Sequence, residues 1–225
     1  MPLPDDPSGH GFSQAVLHKV AGSGSGLLGL AVAFVPFAIA TSVTPGPNTT
    51  MLASSGATFG VWRTLPHIIG IIVGFPLMVV AVGIGLTGIF HDYPSLFVVL
   101  KFLGAGYLLY LAWMMATNRT VDGSVSQARR PFSFVEAAMF QWVNPKAWVM
   151  AAGASSVYID PSVPVAPQLA LITLIFLVVA VPTTVTWTSF GALIGRSLAA
   201  SPARLRQFNV LMAGLLAFSL LPALV

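Results

Sequence analysis

The chain contains no cysteine in 225 residues, and only 7% of its residues are charged. Without thiols it forms no disulfide and offers no thiolate metal site, and nothing about redox compartment follows. The scarcity of charge says more. A soluble domain carries about a quarter charged residues. A chain that is 56% hydrophobic, with mean hydropathy +0.87, cannot cover its surface with polar side chains. Its solvent is lipid, and the sequence reads as an all-α integral membrane protein. Also missing are His/Asp/Glu groups at metal-ligand spacing, a carboxylate pair inside any apolar stretch, a serine with a base nearby, and a phosphate-binding glycine loop. These absences exclude enzyme chemistry, a bound cofactor or metal, and an ATP site, so any solute movement must draw on a gradient. The net charge of +4 and pI near 9.9 suggest nucleic acid. The arginines and lysines, however, sit in particular loops rather than in one patch, which argues against that partner.

What the chain has is long apolar runs, over 27–58, 65–89, 95–116, 132–158, 168–195 and 207–225. A bilayer core of ~30 Å needs about 20 helical residues, so each run can span it. Residues 1–26 form a polar, Gly/Ser/Pro-rich tail that lacks the apolar core of a signal peptide. Arg63 follows the first span, Arg119, Arg129 and Arg130 the third, and Arg196, Arg204 and Arg206 the fifth. The alternate loops hold Asp92 and Asp160 and neither Lys nor Arg. The excess of positive charge on the cytoplasmic side therefore places both termini outside the cytoplasm.

Short stretches recur in order along the chain. Val43-Thr44-Pro45 matches Val143-Asn144-Pro145, Val73-Gly74-Phe75-Pro76 matches Val179-Ala180-Val181-Pro182 with Gly85 then matching Gly191, and Ala105-Gly106 matches Ala213-Gly214. The chain divides accordingly into a first three-helix repeat (27–116), a cytoplasmic loop (117–131) and a second repeat (132–225). An odd number of spans per repeat inverts the second against the first. That arrangement is typical of secondary transporters, which bind substrate near the midplane where the halves meet.

The first span would be about 48 Å long as one straight helix, too long for the bilayer unless tilted or broken. Its centre holds "TPGPN". Pro45 and Pro47 cannot donate to the carbonyls of Thr41 and Val43. Thr44 and Gly46, each before a proline, are pushed from helical angles, and Asn48 is a favoured cap for a restarting helix. A helix ending in free carbonyls is thus followed by one starting with free N–H groups. In lipid such a break survives only inside protein or beside a wet cavity. The N–H end suits a carboxylate and the carbonyls suit an ammonium, so a zwitterion such as an amino acid uses both. The fourth span repeats the break in "QWVNPKAW", with Gln141, Asn144, Pro145 and Lys146. A lysine there costs about 2.5–3.5 kcal/mol on insertion scales and needs a partner. Opposite carbonyls or a substrate carboxylate would serve. The bland alternative is a packing kink and a structural cross-link.

Other polar groups give weaker signals. Thr183, Thr184, Thr186, Thr188 and Ser189 form a stripe that lines a path or bonds its own helix, the commoner fate. Glu136 and His67, near the cytoplasmic ends of spans four and two, are the two candidates for proton coupling. The bland reading makes Glu136 a snorkelling surface carboxylate and His67 an interfacial residue. Lys101, with Tyr107 and Tyr110 after it, reads as an anchor. Small-residue faces at Gly104 and Gly106 would allow close contact between helices, including those of a homodimer.

The combination and order of "TPGPN", "SSGATFG", "LKFLGAGYLLYLAW" and "FQWVNPKAW" resembles the LysE/RhtB family of amino-acid exporters over about residues 30 to 225, nearest its cysteine/O-acetylserine branch. The resemblance implies efflux of amino acids or close derivatives across the inner membrane by proton exchange. It carries the family's motifs onto Thr44 to Asn48, onto Asn144, Pro145 and Lys146, and onto Lys101, Gly104, Gly106 and Tyr107. Some relatives have an acidic residue early in span two where this chain has Phe75, and the tail is longer than the family's. The expected protein is a six-helix exporter of two inverted repeats with helices 1 and 4 broken at proline. Transport of a cation or metal ion, and a non-transporting membrane subunit, are the alternatives. The cysteine-free background makes orientation directly testable. A membrane-impermeant maleimide added to intact cells should label Ser162→Cys and leave Thr120→Cys unlabelled until the membrane is opened.

Overall fold

The computed structural model describes residues 26–86, 94–117, 130–160, 162–198 and 201–219. Nearly all of the expected tail, most of the 117–131 loop, and the charges Asp92, Arg119 and Arg129 lie outside the described residues, as does the side chain of Lys101. Among the described residues all regular structure is helical. The helices are α1 (Gly26–Val43), α2 (Pro47–Ala81, continued by a wide turn Val82–Leu86), α3 (Pro94–Ala116), α4 (Phe134–Phe140), α5 (Pro145–Tyr158), α6 (Val165–Leu198) and α7 (Pro202–Phe218). Three stretches among the described residues, Gly26–Val43, Pro47–Gly85 and Val165–Leu198, are apolar and long enough to cross a membrane.

Helix α2 is a hairpin rather than a rod. Gly60 adopts φ 77°, ψ 172°, a backbone conformation open to glycine and strained for other residues. Ser55 Oγ consequently lies 3.4 Å from His67 Nδ1, whereas twelve residues of straight helix would hold them about 18 Å apart. The Thr64 hydroxyl donates to the Gly60 carbonyl at 2.8 Å and ties the returning arm to the turn. The two arms of α2 therefore fold back on each other at Gly60.

Helix α6 is the rail along which these spans lie. Phe34 packs on Phe176 with ring centroids 5.0 Å apart, and Trp187 Nε1 donates to the Val43 carbonyl at 3.3 Å. Further on, Gly191 faces the Ala53 carbonyl and Gly195 faces that of Ala57. Thus α1 and the first arm of α2 ascend α6 as one broken helix. The second arm descends it, with Phe75 on Phe176 at 4.9 Å and the Leu169 side chain over Gly83. Helix α5 runs against α1, placing Gly153 beside Phe37 and Tyr158 5.0 Å from Phe34. The edge-on rings of Phe34, Phe75, Tyr158 and Phe176 join four segments in one core, an arrangement aromatic quadrupoles favour.

A second cluster joins Ala105, Leu108, Leu111 and Ala112 of α3 to Ala213 and Leu216 of α7. Here the matched Ala105-Gly106 and Ala213-Gly214 behave alike: both alanines are buried together and both glycines face open space. The matched Gly85 and Gly191 do not. Gly85 sits in the wide turn at φ 119° with nothing near it, while Gly191 is pressed against backbone.

With lipid outside, no hydrophobic force drives helix against helix, so close backbone approach has to supply the attraction. A Cβ on Gly56, Gly191 or Gly195 would overlap the carbonyl oxygen of Thr188, Ala53 or Ala57 respectively. Gly191→Leu should therefore cost on the order of 3 kcal/mol, read as an earlier midpoint in SDS-titration unfolding. Gly214→Leu, where a Cβ meets nothing within 4 Å, should leave the midpoint in place.

Candidate functional site

The two proline breaks meet. Helix α1 ends at Val43, its last carbonyls deprived of donors by Pro45 and Pro47, and α2 restarts with Pro47 in its first turn. Its cap is Gly46, not the expected Asn48. Pro47 lacks the N–H that a cap would otherwise have to satisfy, so the helix begins two residues earlier than an Asn48 cap would set it. The Gly46 N–H instead donates to the Thr49 hydroxyl at 2.8 Å. Across the site, α4 tightens into the turn Gln141–Val143, breaks at Asn144, and restarts as α5 with Pro145 in its first turn. There the Asn144 side chain does cap, accepting from the Lys146 N–H at 3.1 Å.

Released from capping, Asn48 reaches the other break. Its Nδ2 donates to Gln141 Oε1 at 2.8 Å, and Gln141 Nε2 donates back to Asn48 Oδ1 at 3.2 Å and to the Ala137 carbonyl at 2.9 Å. Gln141 is fully buried and Asn144 nearly so. Lys146 makes the second link: its Nζ donates to the Thr44 carbonyl at 2.7 Å. The lysine stem lies across Gly46, where an added Cβ would stand 2.8 Å from Lys146 Cδ. A side chain at Gly46 would thus displace the lysine from its present course.

Around this junction is a cavity of about 60 Å³, lined by Thr41, Gly46, Asn48, Asn144, Lys146 and Thr183 among others. It has room for a few waters. Two carbonyls at the break find donors, Thr44 taking Lys146 and Val43, freed by Pro47, taking the Trp187 indole. Thr41 returns its own hydroxyl to Phe37 at 2.7 Å and borders the cavity. Pro45 and the Thr44 side chain are exposed, whereas Pro47 is buried. Thr183 and Thr184 combine both expected fates, lining the cavity while donating to the carbonyls of Val179 and Ala180 at 2.8 and 2.7 Å. Phe75 lines the same cavity and packs on Phe176.

The structure does not bring Glu136 or His67 into this cavity. Glu136 is exposed, caps α4 through Ser133, and holds Arg130 with contacts of 2.6 and 2.8 Å. That hydrogen bonding raises the Arg130 guanidinium further above its ordinary value. His67 is 1% exposed rather than interfacial, because the return at Gly60 folds it under the first arm of α2 and against the Phe132 ring. Sequence reasoning also missed Thr49, and it missed the buried pair in which Ser54 Oγ donates to Asn209 Oδ1 at 3.1 Å. The signal for the latter was an amide, Asn209, just inside the apolar run of α7.

Apolar helices broken in mid-course, with their breaks facing each other at a cavity of mixed polar and apolar lining, define a multi-pass membrane protein with a candidate site inside the helix bundle. Comparison with known proteins gives the family. The LysE type translocator family matches residues 39–221, and the chain belongs to it. It is a transporter, not an enzyme. Among similar proteins, the cysteine/O-acetylserine efflux protein of Escherichia coli O157:H7 is 27% identical over 187 residues, covering 83% of this chain and 93% of that protein. The cysteine/O-acetylserine efflux protein of Klebsiella pneumoniae subsp. pneumoniae is 29% identical, covering 83% and 92%. No solved structure matches the chain.

The amide pair gives a measurable coupling. Asn48→Leu and Gln141→Leu should each destabilise by about 1–3 kcal/mol, because each strands a shielded amide. The double variant should cost less than their sum, in a double-mutant cycle read by SDS-titration unfolding.

Proposed function

We propose that this protein exports amino acids or close derivatives across the cytoplasmic membrane, exchanging them for protons, with the two broken helices as the binding site. The observation that carries the reading is the Lys146 ammonium on the Thr44 carbonyl, at a break that faces a second, capped break. A freed carbonyl that accepts a lysine ammonium accepts the ammonium of an amino acid equally well. Substrate bound there displaces Lys146, whose Nζ then meets the incoming carboxylate. The half-helix that starts at Gly46 and the amides of Asn48 and Gln141 complete the carboxylate end.

The names of the relatives support a small polar amino acid, such as cysteine or O-acetylserine, as cargo. The antiparallel course of α1 and α5, and the shared burial of Ala105 with Ala213, support six spans in two inverted repeats, 27–116 and 132–225. In this reading the repeats rock about the Thr44–Gly46 and Asn144 breaks to alternate access, and both termini lie outside the cytoplasm.

The test is counterflow. Purified protein in liposomes, loaded with unlabelled cysteine, O-acetylserine or another amino acid, should accumulate the labelled counterpart. In Lys146→Ala the half-saturating concentration should rise roughly 30-fold, the effect of losing a charged hydrogen bond of about 2 kcal/mol. Counterflow unchanged in Lys146→Ala would sink the site, and no flux with any amino acid would sink the substrate class.

A further inference from the structure

Away from the break, a cavity of about 260 Å³ opens between the first arm of α2, the end of α3 and the segment before α4. Ser54, Ser55 and Thr58 line one wall, and Arg130 and Glu136 stand at it as a pair. The Ser55 hydroxyl touches His67 Nδ1 at 3.4 Å. Two polar atoms here, Thr58 Oγ1 and His67 Nε2, are shielded and have no hydrogen-bond partner. A stranded polar atom costs about 1–3 kcal/mol, and a sequence this apolar could have filled either position with a hydrophobe at no such cost. An imidazole is also the one side chain whose ordinary titration falls near neutral pH.

We infer that His67 carries the proton exchanged for substrate, reaching the cytoplasmic side through the Ser55–Thr58 cavity. This rests on the proton-coupled reading of the transporter. The step is a plain protonation: an imidazole nitrogen takes a proton from water on the outer side and returns it to water in the cavity. The groups facing His67 are few. On α2 itself they are Ser55 and, a turn earlier, Arg63, which lies over the Phe59 ring. From α4 comes the Glu136 carboxylate, paired with Arg130, and from the segment before it the Phe132 ring. Helix α6 has no titratable residue before Arg196 in its last turn.

The geometry also supplies the link to substrate. Ser55 and Asn48 share the first arm of α2, two helical turns apart, while His67 sits on the second arm. Substrate binding that shifts the Gly46–Asn48 end moves Ser55 relative to the imidazole. Rocking of that arm therefore changes both which face of the membrane His67 meets and what it bonds to.

Counterflow needs no net proton transfer, whereas accumulation driven by an imposed pH gradient does, so the two assays separate the claims. In liposomes containing the full chain, His67→Gln should keep counterflow within about twofold of the parent and lose gradient-driven accumulation at least tenfold. Gradient-driven accumulation that survives in His67→Gln overturns the inference. So does loss of both activities in a variant whose unfolding midpoint is unchanged, since the residue would then serve substrate movement itself. If His67→Gln does not fold, Ser55→Ala keeps the imidazole. It should shift the pH of half-maximal gradient-driven transport by at least half a unit, and an unmoved profile overturns the inference. A parent protein with counterflow but no response to a pH gradient overturns the proton role of His67 and leaves the substrate site standing. A parent without counterflow overturns both.

Discussion

Backbone polar groups in hydrocarbon must be satisfied within the protein, and the two proline breaks are where this chain comes nearest to violating that rule. Each break answers the other's deficit. The Lys146 ammonium neutralises the loose Thr44 carbonyl, and the Asn48 and Gln141 amides close on one another, four groups from segments far apart in the chain. Neither half makes sense without its opposite. A lone Pro-Gly-Pro would leave open carbonyls in lipid, and a lone Lys146 would be an uncompensated charge at insertion depth. Together they make a polar junction whose groups satisfy one another.

That junction is held in place by surfaces with almost no side chain. Gly56, Gly191 and Gly195 bring the first arm of α2 against α6 at backbone distance, and Gly70 and Gly74 bring the second arm against α4. Glycine at these positions fixes the distance between helices while leaving the sliding direction free of interlocking side chains. Below them the rings of Phe34, Phe75, Tyr158 and Phe176 form the dense part of the core. The contrast places stiffness at one end of the broken helices and smooth contact at the other, with the break between them.

The breaks themselves were legible because proline acts through covalent geometry. Wherever Pro45, Pro47 and Pro145 are placed in the fold, they remove the same donors, and the helices do stop and restart there. What depended on distant neighbours was read less well. Asn48 has the chemistry of a cap, and nothing local reveals that Gln141 claims it instead. Val43 was expected to keep a free carbonyl, but Trp187 on α6 reaches it. The burial of His67 is invisible to a linear hydropathy pattern, which cannot register the return at Gly60, where a single positive φ puts the imidazole inside. Of the matched stretches, Ala105 and Ala213 share burial, whereas Gly85 and Gly191 differ: one relieves backbone strain and the other relieves crowding.

Under the proposed function, the chemistry of the same junction favours an amino acid over a bare cation. None of the residues lining the cavity at the break is acidic; its polar groups are hydroxyls, amides, carbonyls and the Lys146 ammonium. Lys146 is therefore balanced by dipoles rather than by a full negative charge. A metal ion or simple cation arriving at the Thr44 carbonyl would meet that ammonium at about 4 Å, a repulsion on the order of 4 kcal/mol at an effective dielectric of 20. An amino acid brings its own carboxylate. Its ammonium takes over the carbonyl while its carboxylate gives the displaced lysine the counter-charge the protein withholds. In the proposed reading the cavity lining lacks one negative charge, and a zwitterion supplies it.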